Sequence, residues 1–332
     1  MPPRIVVLDG YTLTPAEPGK PCPEGEPSWE AVEALGDLTV YDRTPPEAVV
    51  TRAAGAGVVL TNKTVLDART IAALPELKYI GVLATGVNVV DLDAAKKAGV
   101  IVTNVPGYSG AAVAQHVFAL LLAMTNRVAE HDLMARANKP GGWASCKDFS
   151  FTLSPLIELA GKTLGIVGAG DIGQRVAKIG HALGMDILIS SRTKKDIGVP
   201  AQWIAMDDLF TRSDVVTLHC PLTEQTKHLV NSQRLSKMKH TAWLINTARG
   251  PLIDEQALAD ALKQNRIAGA AVDVLSTEPP AADNPLLTAP NCIITPHNAW
   301  AAREARHRLM QIAAGNVKAF LEGGPVNVVG HG

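Results

Sequence analysis

The chain has few aromatic residues, few cysteines and no excess of charge of either sign. Phe, Trp and Tyr together make up 4% of its 332 residues. Lys and Arg number 31 against 32 Asp and Glu, a formal net charge of −1. Sequence-independent nucleic-acid binders normally carry a basic excess, so this balance argues against that class. The four cysteines, Cys22, Cys146, Cys220 and Cys292, are widely scattered. They form no CxxC or Cys/His metal spacing. Reduced thiols in a cytoplasmic protein are therefore expected, rather than a disulfide framework or a zinc site. No apolar run reaches the length of a membrane span. The start, Met1-Pro2-Pro3-Arg4-Ile5-Val6-Val7-Leu8-Asp9, passes straight into a strand and lacks a signal-peptide pattern. No short repeat or low-complexity segment is visible.

What is present is apolar sequence in regular alternation. Hydrophobic residues make up 47% of the chain, enough for two cores, and the length suggests two domains. Strands are predicted at 4–9, 38–41, 57–61, 79–83 and 100–103. Helices are predicted between them at 29–35, 46–54, 66–74 and 91–98, with a Pro/Gly-rich loop at 11–29. This alternation predicts a parallel sheet covered by helices. A long apolar helix at about 110–127 reads as the crossing into a second domain. An irregular stretch follows to residue 156, starting at Lys139-Pro140-Gly141-Gly142-Trp143. Its aromatics, Trp143, Phe149 and Phe151, suit a subunit interface or the mouth of a cleft, and local packing equally well. The second sheet takes strands at 163–167, 186–190, 215–219, 242–246 and 268–274. A helix at 299–321 returns to the first domain. The expected fold is α/β, with two Rossmann-like or flavodoxin-like domains, parallel sheets and a cleft between them. Residues 1–105 plus 301–332 form the substrate-binding domain, and 106–300 the dinucleotide-binding domain.

The strand at 163–167 runs into Gly168-Ala169-Gly170-Asp171-Ile172-Gly173 and then into a helix. That order is the dinucleotide-binding signature. One glycine allows the tight turn, one admits the pyrophosphate, and one lets helix and strand pack closely. Free N–H groups at the helix start favour the phosphate charge. The second strand of such a unit usually ends in an acid that grips the ribose 2′-OH. Here it ends in Ser191-Arg192-Thr193-Lys194-Lys195. A carboxylate about 4 Å from a 2′-phosphate would cost on the order of 4 kcal/mol at an effective dielectric near 20. Its absence, with Arg192 able to fork to phosphate, predicts NADP(H) over NAD(H). A solvated loop with NAD(H) bound fits the same residues.

Three further strand ends carry polar groups: Thr247-Ala248-Arg249-Gly250, Leu275-Ser276-Thr277-Glu278-Pro279 and Pro296-His297-Asn298-Ala299-Trp300. Strand carboxyl ends in such sheets face one crevice. Reduction of a 2-oxo acid needs a carboxylate holder, and Arg249 offers permanently charged paired donors. It needs a proton donor, and His297 titrates near working pH. Glu278 is placed to orient the imidazole. Asp273 is placed to meet a nicotinamide carboxamide, or is an ordinary turn residue. The N–H groups of Thr85 and Gly86, after the strand at 79–83, offer a seat for a small anion, though an ordinary loop fits as well.

At these motifs the chain resembles the D-isomer-specific 2-hydroxyacid dehydrogenases, nearest their glycerate dehydrogenase and hydroxypyruvate/glyoxylate reductase branch. The resemblance rests on Ala84-Thr85-Gly86-Val87-Asn88, Thr103-Asn104-Val105-Pro106-Gly107-Tyr108, Val113-Ala114-Gln115-His116, the glycine turn, Leu218-His219-Cys220-Pro221-Leu222-Thr223, and the motifs holding Arg249, Glu278 and His297. It implies that Arg249 and the amides of Thr85 and Gly86 hold the substrate, and that His297, paired with Glu278, moves the proton. It implies that His219, Cys220 and Pro221 line the cofactor path, and that Thr247, Ala248 and Asp273 reach the nicotinamide. It also implies a homodimer acting on a small 2-oxo or 2-hydroxy acid, with no metal, membrane or nucleic acid. Ser191 departs from the family's common acid, and Gln115 from its common Glu. Formate, phosphite and phosphoglycerate oxidation are alternatives on this scaffold, as is a dinucleotide-sensing corepressor. The end at Gly332 is expected to leave no room for an appended regulatory domain.

Overall fold

A computed structural model describes residues 2–13, 25–137 and 142–330 of the chain. Cys22, most of the Pro/Gly-rich loop, and Lys139, Pro140 and Gly141 lie outside the described residues. The chain divides into two compact units, unit 1 at 1–109 and 301–332, and unit 2 at 110–300.

Unit 1 alternates strand and helix: β1 (Arg4–Val7), α1 (Glu30–Glu33), β2 (Asp37–Val40), α2 (Val49–Ala53), β3 (Val58–Thr61), α3 (Ala68–Ala72), β4 (Tyr79–Val82), α4 (Leu92–Lys97) and β5 (Ile101–Thr103). The five strands pair in parallel in the order β2-β1-β3-β4-β5. This is the flavodoxin-like winding. The inner strands β3 and β4 are buried throughout, as parallel strands covered on both faces should be. The helices are shorter than predicted. Asp67 and Asp91 each accept from the N–H three residues on, which fixes the starts of α3 and α4. The region at 46–54 splits into a 3-10 turn, Pro46–Ala48, before α2. The C-terminal helix, Arg303–Leu321, packs on this sheet, where Phe320 lies 4.7 Å from the Tyr79 ring. At the free side of β5, Val328 pairs antiparallel with Thr103, and the Val329 N–H donates to Val102.

Unit 2 opens with α5 (Gly110–Asn126), whose Val113, Val117, Leu120, Leu121 and Met124 are buried. Arg127 then takes a left-handed conformation, φ 48°, and a separate helix, α6 (Val128–Ala135), follows that the sequence reading left out. The sheet comprises β6 (Thr163–Val167), β7 (Asp186–Ser190), β8 (Gln202–Trp203), β9 (Val215–Leu218), β10 (Trp243–Asn246), β11 (Gly269–Val272) and β12 (Cys292–Ile294). Between them run α7 (Asp171–Ala182), α8 (Met206–Arg212), α9 (Ser232–Lys237) and α10 (Glu255–Lys263), and α11 is the C-terminal helix of unit 1. All seven strands are parallel, in the order β12-β11-β10-β9-β6-β7-β8. Counted from β6, that is the 3-2-1-4-5-6 dinucleotide winding with one strand added. The winding reverses between β6 and β9, and the fold predicts a ligand at their carboxyl ends. The helix predicted at 299–321 begins only at Arg303, because residues 297–299 are tied to a strand end described below. Phe149 is 91% exposed, whereas Trp143, 53% exposed, donates from its indole to the Phe149 carbonyl at 3.1 Å, and Phe151 stacks on His131. Among the described residues, no single helix is long and apolar enough to cross a membrane.

Candidate active site

The glycine turn sits at the switch point, and each glycine answers a different constraint. Gly168 has φ +98°, and a Cβ there would lie 2.6 Å from the His219 carbonyl oxygen and 2.9 Å from the Cys220 nitrogen. The turn after β6 thus presses on the turn after β9. A Cβ on Gly173 would lie 2.1 Å from the Gly168 oxygen, so α7 leaves the turn at contact distance. A Cβ on Gly170 would meet nothing within 4 Å. The middle glycine therefore faces open space, where a pyrophosphate would come against backbone N–H groups at the start of α7. Asp171 is turned along the helix to the Arg175 Nε, at 3.0 and 3.1 Å.

A cavity of about 800 Å³ opens at this turn, lined by Gly168, Ala169 and Gly170, by Ser191, Arg192 and Thr193, and by His219, Cys220 and Pro221. It is large enough for the adenosine half of a dinucleotide. The Arg192 side chain is exposed and has no ion pair among the described residues. Lys195 lines the same cavity, as does the loop Thr223-Glu224-Gln225-Thr226, which the sequence reading did not include. Thr226 pins that loop, its hydroxyl donating to the Pro221 carbonyl at 2.8 Å and accepting the Thr223 N–H at 2.7 Å. Burial pushes the His219 imidazole well below its usual range, so it is a neutral wall beside Thr217. Burial also raises the Cys220 thiol, which favours its neutral form at that wall.

Arg249, Glu278 and His297 follow β10, β11 and β12, three neighbouring strands. Asn246, fully buried at the end of β10, shapes the first loop. Its amide donates to the Arg249 carbonyl at 2.9 Å, and its side-chain oxygen accepts from Ala248 at 3.0 Å. The Arg249 guanidinium is exposed, with one donor on its neighbour's carbonyl. A Cβ on Gly250 would lie 2.0 Å from the Leu275 carbonyl carbon, so the Arg249 loop packs directly on the loop carrying Glu278. The Thr247 hydroxyl is buried and has no partner among the described residues. An unpaired buried hydroxyl costs about 1–3 kcal/mol, which a bound polar ligand would offset.

His297 Nδ1 lies 2.6 Å from Glu278 Oε2, and the other Glu278 oxygen accepts the Leu275 N–H at 3.0 Å. The carboxylate is thus fixed at both ends and sets the plane of the imidazole. With Nδ1 engaged, Nε2 is the ring atom free to meet a substrate. Asp273 is 1% exposed, and its carboxylate accepts from Thr295 at 2.6 Å, Asn298 at 3.0 Å and Ala299 at 3.0 Å. Its observed bonds therefore anchor the His297 loop. His116 and Thr295 join this network and were not among the predicted site residues.

Thr85 and Gly86 follow β4 in unit 1. Asn104 donates to the Thr85 carbonyl at 2.8 Å, and the Thr85 hydroxyl donates to Val105 at 2.9 Å. Their own N–H groups have no acceptor among the described residues. Among those residues, no cluster of His, Cys, Asp or Glu could hold a metal.

A Rossmann-wound sheet, a glycine turn at its switch point and a carboxylate–imidazole pair on neighbouring strand ends define a dinucleotide-dependent oxidoreductase. Residues 118–299 match the model of the D-isomer specific 2-hydroxyacid dehydrogenase, NAD binding domain. The chain belongs to this family. It is 45% identical to a hydroxypyruvate reductase of Blautia hydrogenotrophica over 98% of this chain and 99% of that protein. It is 43% identical to a glycerate dehydrogenase of Methylorubrum extorquens over 87% of this chain and 90% of that one. Among solved structures it is similar to an NADPH-dependent glyoxylate/hydroxypyruvate reductase of Sinorhizobium meliloti in complex with NADP and malonate. The TM-score there is 0.81 at 27% identity, covering 99% of this chain and 97% of the other.

Proposed function

We propose that the protein reduces a small 2-oxo acid of the hydroxypyruvate or glyoxylate type to the D-2-hydroxy acid, and runs the reverse reaction, with NADP(H) preferred. The observation that carries this reading is the His297–Glu278 pair at 2.6 Å. The nicotinamide dinucleotide, when bound, supplies or takes the hydride. Residues 168–173 receive its pyrophosphate, with Arg192 toward the 2′-phosphate and Ser191 and Thr193 beside it. His219, Cys220 and Pro221 flank it. Thr247, Ala248 and Asp273 serve the nicotinamide end, where the unpaired Thr247 hydroxyl is the donor in want of a partner. Arg249 holds the substrate carboxylate through paired N–H groups. In unit 1 the unpaired N–H groups of Thr85 and Gly86 supply donors for an anionic group. His297 gives a proton from Nε2 to the carbonyl oxygen during reduction and takes it back during oxidation. Glu278 keeps the ring oriented. The exposed Phe149 and Trp143 support a homodimer. The names of the relatives support the substrate class and, in the Sinorhizobium complex, the cofactor.

Steady-state rates with hydroxypyruvate, glyoxylate, pyruvate and phenylpyruvate, each with NADPH and NADH, test the reading. His297→Ala should lose at least about 100-fold in turnover, the usual contribution of a general acid. Arg192→Ala should raise the KM for NADPH and leave that for NADH unchanged. Full turnover in His297→Ala removes the proton-donor role, and equal effects on both cofactors remove the role of Arg192.

A further inference from the structure

His116 interrupts the largely apolar buried face of α5, with its side chain 21% exposed. A half-buried imidazole there needs a partner, and it has one 179 positions away in the sequence. Nε2 lies 3.1 Å from the Thr295 hydroxyl and 3.6 Å from Asp273 Oδ1. The direction of these bonds follows from proton counting. Thr295 has one hydroxyl proton, and it goes to Asp273 at 2.6 Å. The Thr295 oxygen therefore accepts, and His116 Nε2 carries the proton it accepts.

The chain His116 to Thr295 to Asp273 ends at the His297 loop. The carboxylate of Asp273 takes the N–H groups of Asn298 and Ala299, and its backbone carbonyl takes the N–H of His297 at 2.8 Å. Three consecutive N–H groups thus converge on one residue. His297 itself sits at φ 52°. A non-glycine residue is disfavoured in that region, so the loop is held there by its anchors. Successive bonds in such a chain polarise one another, and a donor removed at one end weakens the rest.

We infer that His116 is a positioning residue for His297, acting through Thr295 and Asp273. This rests on the reading of His297 as the proton donor. Without the His116 N–H, the Thr295 hydroxyl is free to turn, Asp273 loses a donor, and the direction in which His297 presents Nε2 is no longer fixed.

The test compares His116→Phe, which keeps a flat ring but has no N–H, with His116→Gln, which restores a donor at similar reach. His116→Phe should lower kcat with hydroxypyruvate about 10- to 100-fold, the range for small misplacements of a reacting group. The KM for NADPH should change less than kcat, and hydrogen exchange at the amides of Asn298 and Ala299 should quicken. His116→Gln should restore most of the rate and the protection. Wild-type kcat in His116→Phe overturns the inference, as does equal impairment of both variants. His297→Ala is measured beside them. Should it keep full turnover, the proton-donor reading falls, and the amide exchange alone decides whether His116 holds the loop. Unchanged exchange then overturns the inference as well.

Discussion

The three glycines of the turn should fail in different ways when each is replaced by alanine. Gly168→Ala puts a side chain at φ +98° and drives its Cβ to 2.6–2.9 Å from three backbone atoms of His219 and Cys220. The backbone strain costs about 1–3 kcal/mol. The overpacking costs a similar amount, about 1–3 kcal/mol, because no side chain can turn away. Gly173→Ala meets the Gly168 carbonyl at 2.1 Å and carries the overpacking cost alone. Gly170→Ala meets nothing within 4 Å, and its φ of −68° suits any residue. Its cost is confined to a poorer N-cap, no more than about 1 kcal/mol. Its methyl group, however, occupies the space a pyrophosphate would approach through. The stability order is therefore wild type, then Gly170→Ala closely behind, then Gly173→Ala, then Gly168→Ala. For a domain of this size each kcal/mol moves the melting temperature by about 2–4 °C. Urea and thermal melts of the cofactor-free protein read that order. NADPH titrations followed by tryptophan fluorescence should show Gly170→Ala binding at least about tenfold more weakly, equivalent to about 1.4 kcal/mol. A Gly170→Ala protein that melts like Gly168→Ala, or binds NADPH like wild type, refutes the assignment of the three roles.

Two further outcomes follow from local geometry. Gly315 lies exposed within α11 with nothing near its Cβ position, so Gly315→Ala should stabilise unit 1 by about 0.4–1 kcal/mol in urea melts, and a loss would contradict the helix assignment. Burial by itself would raise the carboxyl of Asp214, but its bonds to Lys239 and to the Thr163 N–H prevail and hold it below 3.8. A depressed folded value adds stability above the unfolded pKa and loses it as pH falls through the folded one. Asp214→Asn should therefore be less stable than wild type at pH 7, with the gap closing below about pH 4. An equal gap at pH 7 and pH 3 would exclude that linkage.

The sequence carried the winding of both sheets because parallel strands buried on two faces read as short apolar runs ending in polar loops. Those loops hold Thr85, Arg249, Glu278 and His297, so the candidate site was legible wherever chemistry sits at a strand's carboxyl end. Helix limits were less legible, since capping by Asp67 and Asp91 shortens α3 and α4 to less than their apolar pattern spans. The strand β8 has two residues, too few to show any period. The break before α6 turns on the left-handed conformation of Arg127, a residue with no local preference for it. Lys195 and the 223–226 loop enter the cavity through the fold of the chain around it, and polar loop residues give no sign of which way they face. His116 and Thr295 were illegible as a pair because their bond spans 179 positions. One hint was available: a histidine interrupting the buried face of a helix needs a polar partner. Asp273 stands just past a strand end as expected, but a strand end gives no sign that the same carboxylate also takes donors from Thr295, Asn298 and Ala299.

The segment around Val328 bears on how the protein behaves when crowded. An exposed sheet edge is a template for strand addition from another molecule. Here the free side of β5 is already covered, with Val328 bridged to Thr103 and the Val329 N–H bonded to Val102. The outer strands of the other sheet, β8 and β12, have two and three residues, which leaves a foreign strand little to pair with. Removing residues from 328 onward would uncover the β5 edge while keeping Asn327, whose carbonyl accepts the N–H of Asn104 beside Thr85. Such a truncated enzyme is expected to lose active protein to aggregation rather than to slower turnover.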